Sequence, residues 1–418
     1  MALNDYFKKE ALTTKTLFSY FLKWTVISTI AGSLIGSSSA LFLFLLETIT
    51  DLRIDTPILL YFLPLGGLIV GLVYYYWGGE ANRGNNLLID EYHTPTQTMP
   101  LKMAPLVLIG TLITHLFGGS AGREGTAVQM GGAIADQFTK YFKVSHQDRQ
   151  TIILIGVSAG FASVFGTPIA GTLFALELML VGRVKYQSLY PVLIAALTAH
   201  FTCLAWGISH TIYLIDSIPN FSLLLLLKLI IAAFTFAIAA ILFVKTTDLW
   251  SALFKKYIAF PPMRPFVGAI LFIVLILTIG NDTYLGLGVP TIVASFDVSQ
   301  EWNVFLLKIL FTGLTLGAGF KGGEVTPLFF IGAALGSFLA LYLNLPISFL
   351  AALGFVSVFS GATKTPWACT FMGIELFGAD VAIYIALTCI VAFMLSGKHT
   401  IYKSQRFTSE INANNNAK

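Results

Sequence analysis

Two glutamates in apolar, glycine-rich surroundings are the residues of this sequence best suited to chemistry. Glu124 follows the stretch GGSAG at 118–122, and Glu324 follows GAGFKGG at 317–323. An ionisable side chain inside a membrane segment costs about 2.5–3.5 kcal/mol on insertion scales and usually marks an ion pathway. A carboxylate at a helix start can also compete with an anion for the same place, and it must leave when it is protonated. The pair is therefore predicted to couple proton movement to anion movement.

Helix capping is the alternative explanation for these glutamates, because a carboxylate in the first turn satisfies free N–H groups and the positive end of the helix dipole. Capping explains one of the two glutamates well. It explains poorly why two segments of the chain place a carboxylate at the same point. Glu177 and Glu375 lie late in apolar helices, and capping or pairing near an interface is the interpretation we give them.

An enzyme using Glu124 and Glu324 as paired acid and base is a second alternative, since paired carboxylates can do such work. No nucleophile, metal-ligand set or cofactor motif accompanies them, so we do not predict an enzyme. His115 and His200 stand singly in apolar runs and are interpreted as core histidines. The three cysteines are interpreted as helix-packing residues, and no His/Cys spacing fits a metal site; they are Cys203, Cys369 and Cys389.

The composition places these residues in a membrane. The chain has 418 residues, 56% hydrophobic and 11% charged, whereas an ordinary soluble domain carries roughly 25% charge. Apolar helices of roughly 20 residues can face lipid because their backbone groups are paired internally. The net charge is only +4 and no basic stripe interleaves with aromatics, which argues against a nucleic-acid partner.

An internal repeat organises the chain. Residues 119–133 match residues 319–333 at a spacing of 200, and the pattern T-P-x-A-x-T-x-x-x-x-E-L occurs at both 167–178 and 365–376. Several apolar segments are too short to cross a bilayer and are interrupted by glycine or proline. Paired repeats whose broken helices meet near the midplane are typical of secondary transporters. We expect an all-α polytopic protein of tilted and broken helices, although the sequence alone does not show that the repeats are inverted.

Three regions are expected. Residues 1–24 form a cytoplasmic segment, residues 25–403 form one transmembrane domain, and residues 404–418 form a short, polar and disordered tail. Within the domain, the repeats cover about 25–208 and 221–403. Positive residues near both ends predict that both termini are cytoplasmic and that the number of crossings is even; they are Lys8, Lys9, Lys15, Lys23, Lys398, Lys403 and Arg406.

Three motifs in order resemble the CLC family of chloride channels and anion/proton antiporters. They are GREGTAVQ at 122–129, the GFA and PIAG run within 160–171, and GGEVTP at 322–327. The resemblance covers nearly the whole chain. It implies a homodimer with one pore per subunit and inverted repeats whose helix starts point at the anion. It also gives Glu124 the position of the external gating glutamate and Tyr402 that of the inner tyrosine.

Four departures resemble the fluoride/proton antiporter branch of that family more than its chloride members. Asn85 and Asn86 replace the usual serine and glycine, Thr126 replaces a proline, and Leu178 stands where chloride/proton exchangers have an internal proton glutamate. Glu324 replaces an apolar residue, and in the fluoride branch this glutamate is implicated in proton coupling. An asparagine amide offers N–H donors to a small anion that can only accept hydrogen bonds.

The resemblance therefore implies export of fluoride from the cytoplasm in exchange for protons. A chloride/proton antiporter or a passive chloride channel is the alternative. The expected partners are fluoride, protons, the lipid bilayer and a second copy of the chain. A bacterial inner or plasma membrane is the expected location.

The residues predicted to form the anion path share either an N–H donor or a matching position in the family. They are Asn85, Asn86, Tyr402, Phe320 and the backbone of Gly122, Arg123 and Gly125. Phe320 and Met103 are interpreted equally well as path-lining or as apolar packing residues. No cofactor is required, but the resemblance allows a structural Na⁺ near Thr326.

Overall fold

The structure, a computed structural model, describes the backbone of residues 2–141 and 145–408 and the side chains of residues 17–140 and 145–408. Helices dominate it. The α-helices are α1 (Ala2–Asp55), α2 (Leu63–Val73), α3 (Asn85–His93), α4 (Met103–Leu116), α5 (Glu124–Ala135), α6 (Phe138–Tyr141), α7 (His146–Phe165), α8 (Pro168–Met179), α9 (Leu189–Ala205), α10 (Leu223–Tyr257), α11 (Met263–Ile279), α12 (Val289–Asp297), α13 (Trp302–Ala318), α14 (Val325–Leu343), α15 (Ile347–Thr363), α16 (Pro366–Phe377) and α17 (Ala382–Leu395).

Short elements complete the described chain. Pro57–Phe62 is a 3₁₀ turn before α2, Tyr74–Gly78 is a π-helical turn after it, and Gly79–Arg83 is a further 3₁₀ turn. Two more 3₁₀ turns, Tyr186–Ser188 and Ala379–Val381, precede α9 and α17. The strands β1 (Leu180–Val181) and β2 (Arg406–Phe407) pair in parallel.

Helices long enough to cross a bilayer occur in the described chain together with shorter ones. Within the described residues, five helical segments are long and apolar enough to cross a bilayer: Leu17–Asp55, Pro57–Arg83, Tyr186–Ala205, Leu223–Tyr257 and Val325–Leu343. Other helices are too short to cross alone, among them α5, α8 and α16 with 12 residues each. The predicted class, all-α with broken transmembrane helices, is confirmed.

One apolar run is divided more finely than hydropathy alone indicates. The segment 151–182 contains two helices, because α7 ends at Gly166, whose φ of 75° is left-handed, and Pro168 begins α8. A left-handed glycine ends a helix readily, and a proline at the first helical position starts one. The break leaves the start of α8 inside the protein, where its N–H groups need partners.

The two repeats are inverted. Helices α1–α5 and α7–α9 recur in the same order as α10–α14 and α15–α17. Glu177, late in α8, accepts hydrogen bonds from the N–H groups of Trp367 and Ala368 at 3.2 and 2.8 Å. Glu375, late in α16, accepts them from Ile169 and Ala170 at 2.9 and 2.8 Å. The end of each helix thus lies at the start of the other, so these equivalent helices run antiparallel.

Glycines allow equivalent helix pairs to approach closely in both repeats. Helix α5 packs on α7, and α14 packs on α15. A Cβ on Gly156 of α7 would overlap the carbonyl of Gly131, and one on Gly354 of α15 would overlap that of Gly332. Small residues at such crossings bring helix backbones together, which is the main source of packing energy between helices in lipid.

The ends of the domain differ from the expected boundaries. Helix α1 continues without a break through position 24, so the first apolar run belongs to a longer helix. The prediction of a disordered tail from residue 404 is wrong for residues 404–408. Gln405 is buried and donates to the carbonyls of Leu178 and Thr363, and β2 pairs with β1. Residues 409–418 lie outside the described residues.

The buried cysteines and one histidine match their interpretation. Cys203, Cys369 and Cys389 are free thiols buried among helices. His115 is only 1% exposed, and its Nε2 lies 3.4 Å from the carbonyl oxygen of Gly122. His200 differs, because it is half-buried and its Nδ1 has no hydrogen-bond partner among the described residues.

Because Glu177 and Glu375 cap helix starts, their substitution is predicted to lower the stability of the protein and to leave transport unchanged. Substitution Glu177→Gln or Glu375→Gln replaces one accepting oxygen with an NH₂ group that faces a backbone N–H. We expect a loss of about 1–3 kcal/mol for the unmade charged hydrogen bond, seen as a lower apparent Tm in detergent. Glu301→Gln is the matched control, because Glu301 is exposed and its side chain caps nothing. Equal Tm values for all three variants would contradict the capping role.

Candidate ion-binding site

Two glycine-rich loops, one from each repeat, meet at the centre of the molecule. The N–H of Gly122 donates to the carbonyl of Gly323 at 2.6 Å, and the N–H of Gly323 donates to the carbonyl of Gly122 at 2.7 Å. These bonds form an isolated antiparallel bridge. The bridge fixes the starts of α5 and α14 against each other, and both helices therefore begin at the same place.

Glu124 crosses this junction and caps the helix of the other repeat. Its carboxylate is 1% exposed, and Oε2 accepts from the backbone N–H groups of Arg123 and Thr326, each at 3.1 Å. Its Oε1 accepts a short hydrogen bond from the hydroxyl of Thr326. The guanidinium Nε of Arg123 lies 3.6 Å from Oε1. The carboxylate thus occupies the N-terminal end of α14, where an anion is favoured.

Glu324 has no comparable capping role. It is the N-cap residue of α14, but its side chain makes no capping hydrogen bond, and the residue is half-buried. Its carboxylate instead points towards the start of α5, since a Cβ on Gly125 would lie 3.4 Å from Oε2 of Glu324. The capping explanation therefore applies to Glu124, and Glu324 is left as a carboxylate inside the protein without a structural task.

A small hollow of backbone N–H groups lies between the two glutamates. The position that a Cβ on Gly323 would take is 2.8, 3.1 and 3.3 Å from the backbone nitrogens of Gly125, Glu124 and Arg123. The N–H of Gly125, in the first turn of α5, has no hydrogen-bond acceptor among the described residues. The N–H of Arg123 already donates to Glu124, so the consecutive N–H groups of Glu124 and Gly125 are the ones that could bind an anion here.

Asn85 adds a side-chain donor to this hollow. It is the first residue of α3 and is buried, and its Nδ2 would lie 3.2 Å from a Cβ on Gly125. Its Oδ1 is buried and has no hydrogen-bond partner among the described residues. A buried amide without a partner costs free energy unless something else pairs with it. An anion cannot pair with Oδ1, which only accepts hydrogen bonds, so the Nδ2 donor of Asn85 is the atom that could bind an anion.

Asn86 has a different task. Its Oδ1 accepts a hydrogen bond from the N–H of Ser404 at 2.9 Å. The side chain fastens the segment after α17 to the start of α3. Its predicted role in binding the anion stays a prediction, and the observed contact is structural.

Tyr402 is held by residues that the sequence did not single out. The tyrosine is 4% exposed, and its ring centroid lies 6.5 Å from that of Phe174. Its carbonyl accepts from the N–H of Gln405, whose side chain bonds to Leu178 and Thr363 as described above. Gln405 also accepts from the hydroxyl of Thr400 at 2.8 Å. A polar residue in a polar tail gives no signal in the sequence that it is buried.

Phe320 and Met103 are both buried. A Cβ on Gly67 of α2 would lie 2.7 Å from Cζ of Phe320, so the ring tip packs on that helix. Met103 is fully buried at the start of α4. These contacts fit the packing interpretation, and lining of an ion path stays a prediction for both residues. The next residue, Lys321, places its ammonium 4.0 Å from the ring centroid of Tyr74.

The threonines near Glu124 offer oxygens of the type that a hard cation takes. Thr326 bonds to Glu124, while its repeat partner Thr126 bonds to the hydroxyl of Thr111 at 2.7 Å. A Cβ on Gly122 would lie 2.9 Å from both Oε2 of Glu124 and the carbonyl oxygen of Gly323, and that carbonyl oxygen has a second lone pair. The donor types fit a monovalent cation. No group of three or more His, Cys, Asp or Glu side chains clusters within the described residues.

Because Gly125 lies beside the hollow, a larger side chain at this position is predicted to obstruct the anion. A methyl group at this position would lie 3.1 Å from Cα of Gly323, 3.2 Å from Asn85 and 3.4 Å from Glu324. We expect Gly125→Ala to lower anion flux about tenfold or more, while the loss in Tm stays small because alanine favours a helix over glycine. Flux from loaded liposomes and melting in detergent check both parts. Unchanged flux would show that ions do not pass beside Gly125.

Comparisons with known proteins agree with this geometry. A family model described as voltage gated chloride channel matches residues 66–397. The chloride/fluoride channel protein of Pseudomonas syringae pv. tomato is 46% identical over 396 residues, covering 93% of this chain and 88% of that protein.

Two solved structures have the same fold. A crystal structure of a CLC-type fluoride/proton antiporter has a TM-score of 0.89 and 35% identity, and the match covers 93% of this chain and 98% of that one. A slow cyanobacterial Cl⁻/H⁺ antiporter has a TM-score of 0.78 over 94% and 98% of the two chains, but at 18% identity the likeness shows the fold alone. On the family match and the 46% identical relative, this chain belongs to the voltage-gated chloride channel (CLC) family.

Proposed function

We propose that this protein exchanges cytoplasmic fluoride for external protons across a bacterial membrane. The observation that carries the proposal is the pair of unlike glutamates at one junction. Glu124 occupies the start of α14 in the manner of a bound anion, and Glu324 sits beside the hollow without a capping hydrogen bond. The names of two relatives, a chloride/fluoride channel protein and a fluoride/proton antiporter, support the same function.

Protonation of Glu124 opens the cycle. The carboxylate holds the N–H and hydroxyl of Thr326 through its negative charge, and a neutral carboxyl accepts hydrogen bonds much less strongly. The start of α14 then loses its acceptor and becomes a site for an anion. Fluoride, which only accepts hydrogen bonds, takes the place of the carboxylate. Proton arrival and anion binding are therefore linked at one group of N–H donors.

Glu324 and Asn85 complete the proposed cycle with a second proton carrier and a hydrogen-bond donor to the anion. Glu324 is close enough to the hollow for its charge to oppose an anion there, so fluoride favours its protonated form. The amide Nδ2 of Asn85 donates directly to the anion. In this scheme Glu324 carries the second proton step, in place of the internal glutamate that Leu178 replaces. Leu178 is a buried side chain that cannot titrate.

The chemistry of fluoride gives such exchange a purpose. Hydrogen fluoride is a weak acid that crosses membranes as a neutral molecule and ionises in a near-neutral cytoplasm, where fluoride is trapped. Exchange of an outgoing anion for an incoming proton uses both the proton gradient and the membrane potential, which is worth about 2.3 kcal/mol per charge per 100 mV. The task is export of a toxic anion.

Chloride transport is the second candidate, as a chloride/proton antiporter or a passive channel. The observation that favours it is the resemblance of the GREGTAVQ motif and of Tyr402 to those of the chloride members. Leu178 argues against exchange by the chloride members' route, since it leaves that route without its internal proton carrier. A catalytic use of the two glutamates has no observation in its favour, because Glu124 is held by Thr326 and Arg123.

The assembly and the orientation are part of the proposal. We propose a homodimer in the lipid bilayer with both termini in the cytoplasm. Helices α8 and α16 leave apolar side chains exposed, including Ile169, Trp367 and Phe371, and a second copy or lipid would cover them. A structural Na⁺ beside Thr326 is also proposed, on the oxygen donors described above.

Flux from liposomes tests the function. Purified protein is reconstituted into vesicles loaded with fluoride or with chloride, and both anions and external pH are followed with electrodes. Fluoride efflux accompanied by proton uptake in a fixed ratio is expected, with much slower chloride efflux. Comparable efflux of the two anions would favour the chloride candidates. Fluoride efflux without proton uptake would indicate a channel.

Substitutions of Glu324 and Glu124 are predicted to have the same effect on coupling but different effects on stability. Glu324→Gln should leave Tm unchanged or raised, because it removes the charge of a half-buried side chain that caps nothing, and proton-coupled flux should be lost. Glu124→Gln should abolish coupling and also lower Tm by an amount equivalent to about 1–3 kcal/mol, since one of the two oxygens that accept from Thr326 becomes an NH₂ group. Flux and melting are measured on one preparation of each variant. Normal exchange by Glu324→Gln would exclude it as a proton carrier.

Asn85 is predicted to set anion selectivity. Asn85→Ser replaces a donor amide with a hydroxyl of shorter reach, so contact with fluoride is lost and space for a larger anion is gained. We expect the ratio of fluoride to chloride flux to fall about tenfold, which corresponds to one lost hydrogen bond to a charged group. Asn86→Ser is the matched control, because Asn86 bonds to Ser404 instead of facing the hollow. An unchanged ratio for Asn85→Ser would remove this residue from the anion site.

A further inference from the structure

A small cavity joins Glu124 to a histidine that the proposed cycle does not use. The cavity measures about 30 Å³, which is room for about two water molecules. Glu124 and Arg123 line one side of it, and His210, Thr211 and Tyr213 line another. Thr326, which bonds to Glu124, lies at the first side, and apolar side chains of α7, α12, α14, α15 and α16 line the rest. Water in this cavity would therefore find its polar partners beside Glu124 and beside His210.

His210 lies on the side of the protein away from the N-terminus. Lys23 of α1 pairs with Asp148 in the first turn of α7 at 2.9 Å. Gly166, at the opposite end of α7, adjoins the imidazole, since a Cβ there would lie 3.1 Å from Nε2. The 20 residues of α7 separate these points by about 30 Å. With the N-terminus in the cytoplasm, His210 therefore faces the external side.

The imidazole of His210 has a nitrogen free for proton transfer. Its Nε2 is buried and has no hydrogen-bond partner among the described residues. His200 of α9 stacks on it, with ring centroids 5.8 Å apart and planes 20° apart. The titratable and charged groups that face His210 are His200, Arg123, Glu124 and Tyr213, while α7 presents backbone at Val164 and Gly166. No described carboxylate other than Glu124 adjoins the cavity.

Direct access of external protons to Glu124 is restricted. Glu124 is 1% exposed, and the charge of Arg123 beside it disfavours hydronium. Burial, together with Arg123 and His200, lowers the pKa of His210 to about 4. The ring is therefore uncharged at neutral pH, and its Nε2 lone pair can accept a proton.

We propose that His210 is the external proton relay of this transporter. Because Nε2 is buried, it accepts a proton from water that has entered the cavity from the external side, and it passes that proton through cavity water to the carboxylate of Glu124. The balance is one proton in and one proton out of the imidazole, with no other bond changed. The relay rests on the proposed proton exchange, because it has no task in a protein that moves anions alone.

The test compares matched histidine variants in liposomes. His210→Asn removes the titrating ring at the cavity, and His200→Asn removes the stacked ring that does not line it. Fluoride flux and proton uptake are measured with the same pH on both sides, from about pH 8 to about pH 5, so that random insertion of the protein does not matter. Imidazole is then added as a soluble proton carrier. His210→Gln serves as a second variant if the first folds poorly.

The relay predicts a particular pattern. His210→Asn should be about tenfold slower than the unmodified protein near neutral pH, with the same ratio of protons to fluoride. Its rate should approach that of the unmodified protein at low pH, where hydronium is abundant, and imidazole should restore it. His200→Asn should transport normally. These readouts separate a relay from a structural role, which neither imidazole nor low pH would rescue.

Two results would overturn the proposal. Normal rates for His210→Asn at every pH would show that protons reach Glu124 without it. Equal slowing of both histidine variants, without rescue, would assign the pair a packing role. A failure of the proposed function can be told apart from a failure of the relay. In the first case the unmodified protein itself would move fluoride without protons, and the relay would be overturned together with the exchange.

Discussion

The starts of helices inside a bilayer need hydrogen-bond acceptors, and this constraint shapes the whole protein. Lipid supplies none, and each unsatisfied N–H costs several kcal/mol. The chain meets the need with carboxylates from the opposite repeat. Glu177 caps α16, Glu375 caps α8, and Glu124 caps α14. Each cap also joins the two repeats, so the interaction that permits broken helices is the one that holds the halves together.

The two repeats differ in these caps at the start of α5, and this difference defines the site. Full symmetry would have Glu324 cap the start of α5, as Glu124 caps that of α14. Instead Glu324 makes no capping hydrogen bond, and the N–H of Gly125 has no acceptor among the described residues. Of the starts of α5, α8, α14 and α16, that of α5 is therefore the one that no described carboxylate of the opposite repeat caps. An uncompensated helix start beside a free amide is a place for an anion.

The sequence identified the glutamates of this arrangement, but it did not predict which helix each glutamate caps. The spacing of 200 identified Glu124 and Glu324, and the spacing of 198 identified Glu177 and Glu375, because the motifs themselves are repeated. Which glutamate caps which helix could not be predicted, since inversion is a property of three-dimensional packing and leaves no mark in the spacing. Gln405 was missed for a related reason. Its neighbours are polar, and its burial depends on two distant carbonyls that only the folded chain brings near.

The bridge between Gly122 and Gly323 limits what can move during transport. Its two hydrogen bonds join loops that begin both central helices, so widening the site would break both of them. Each bond contributes about 0.5–1.5 kcal/mol net and costs more to leave unmade. Side chains, in contrast, can rotate at little cost. Motion is therefore confined to the carboxylate of Glu124 and its neighbours, while the backbone hollow keeps its size. A site of fixed size would favour the smallest anion, and this rigidity connects the packing of two glycine loops to the proposed preference for fluoride.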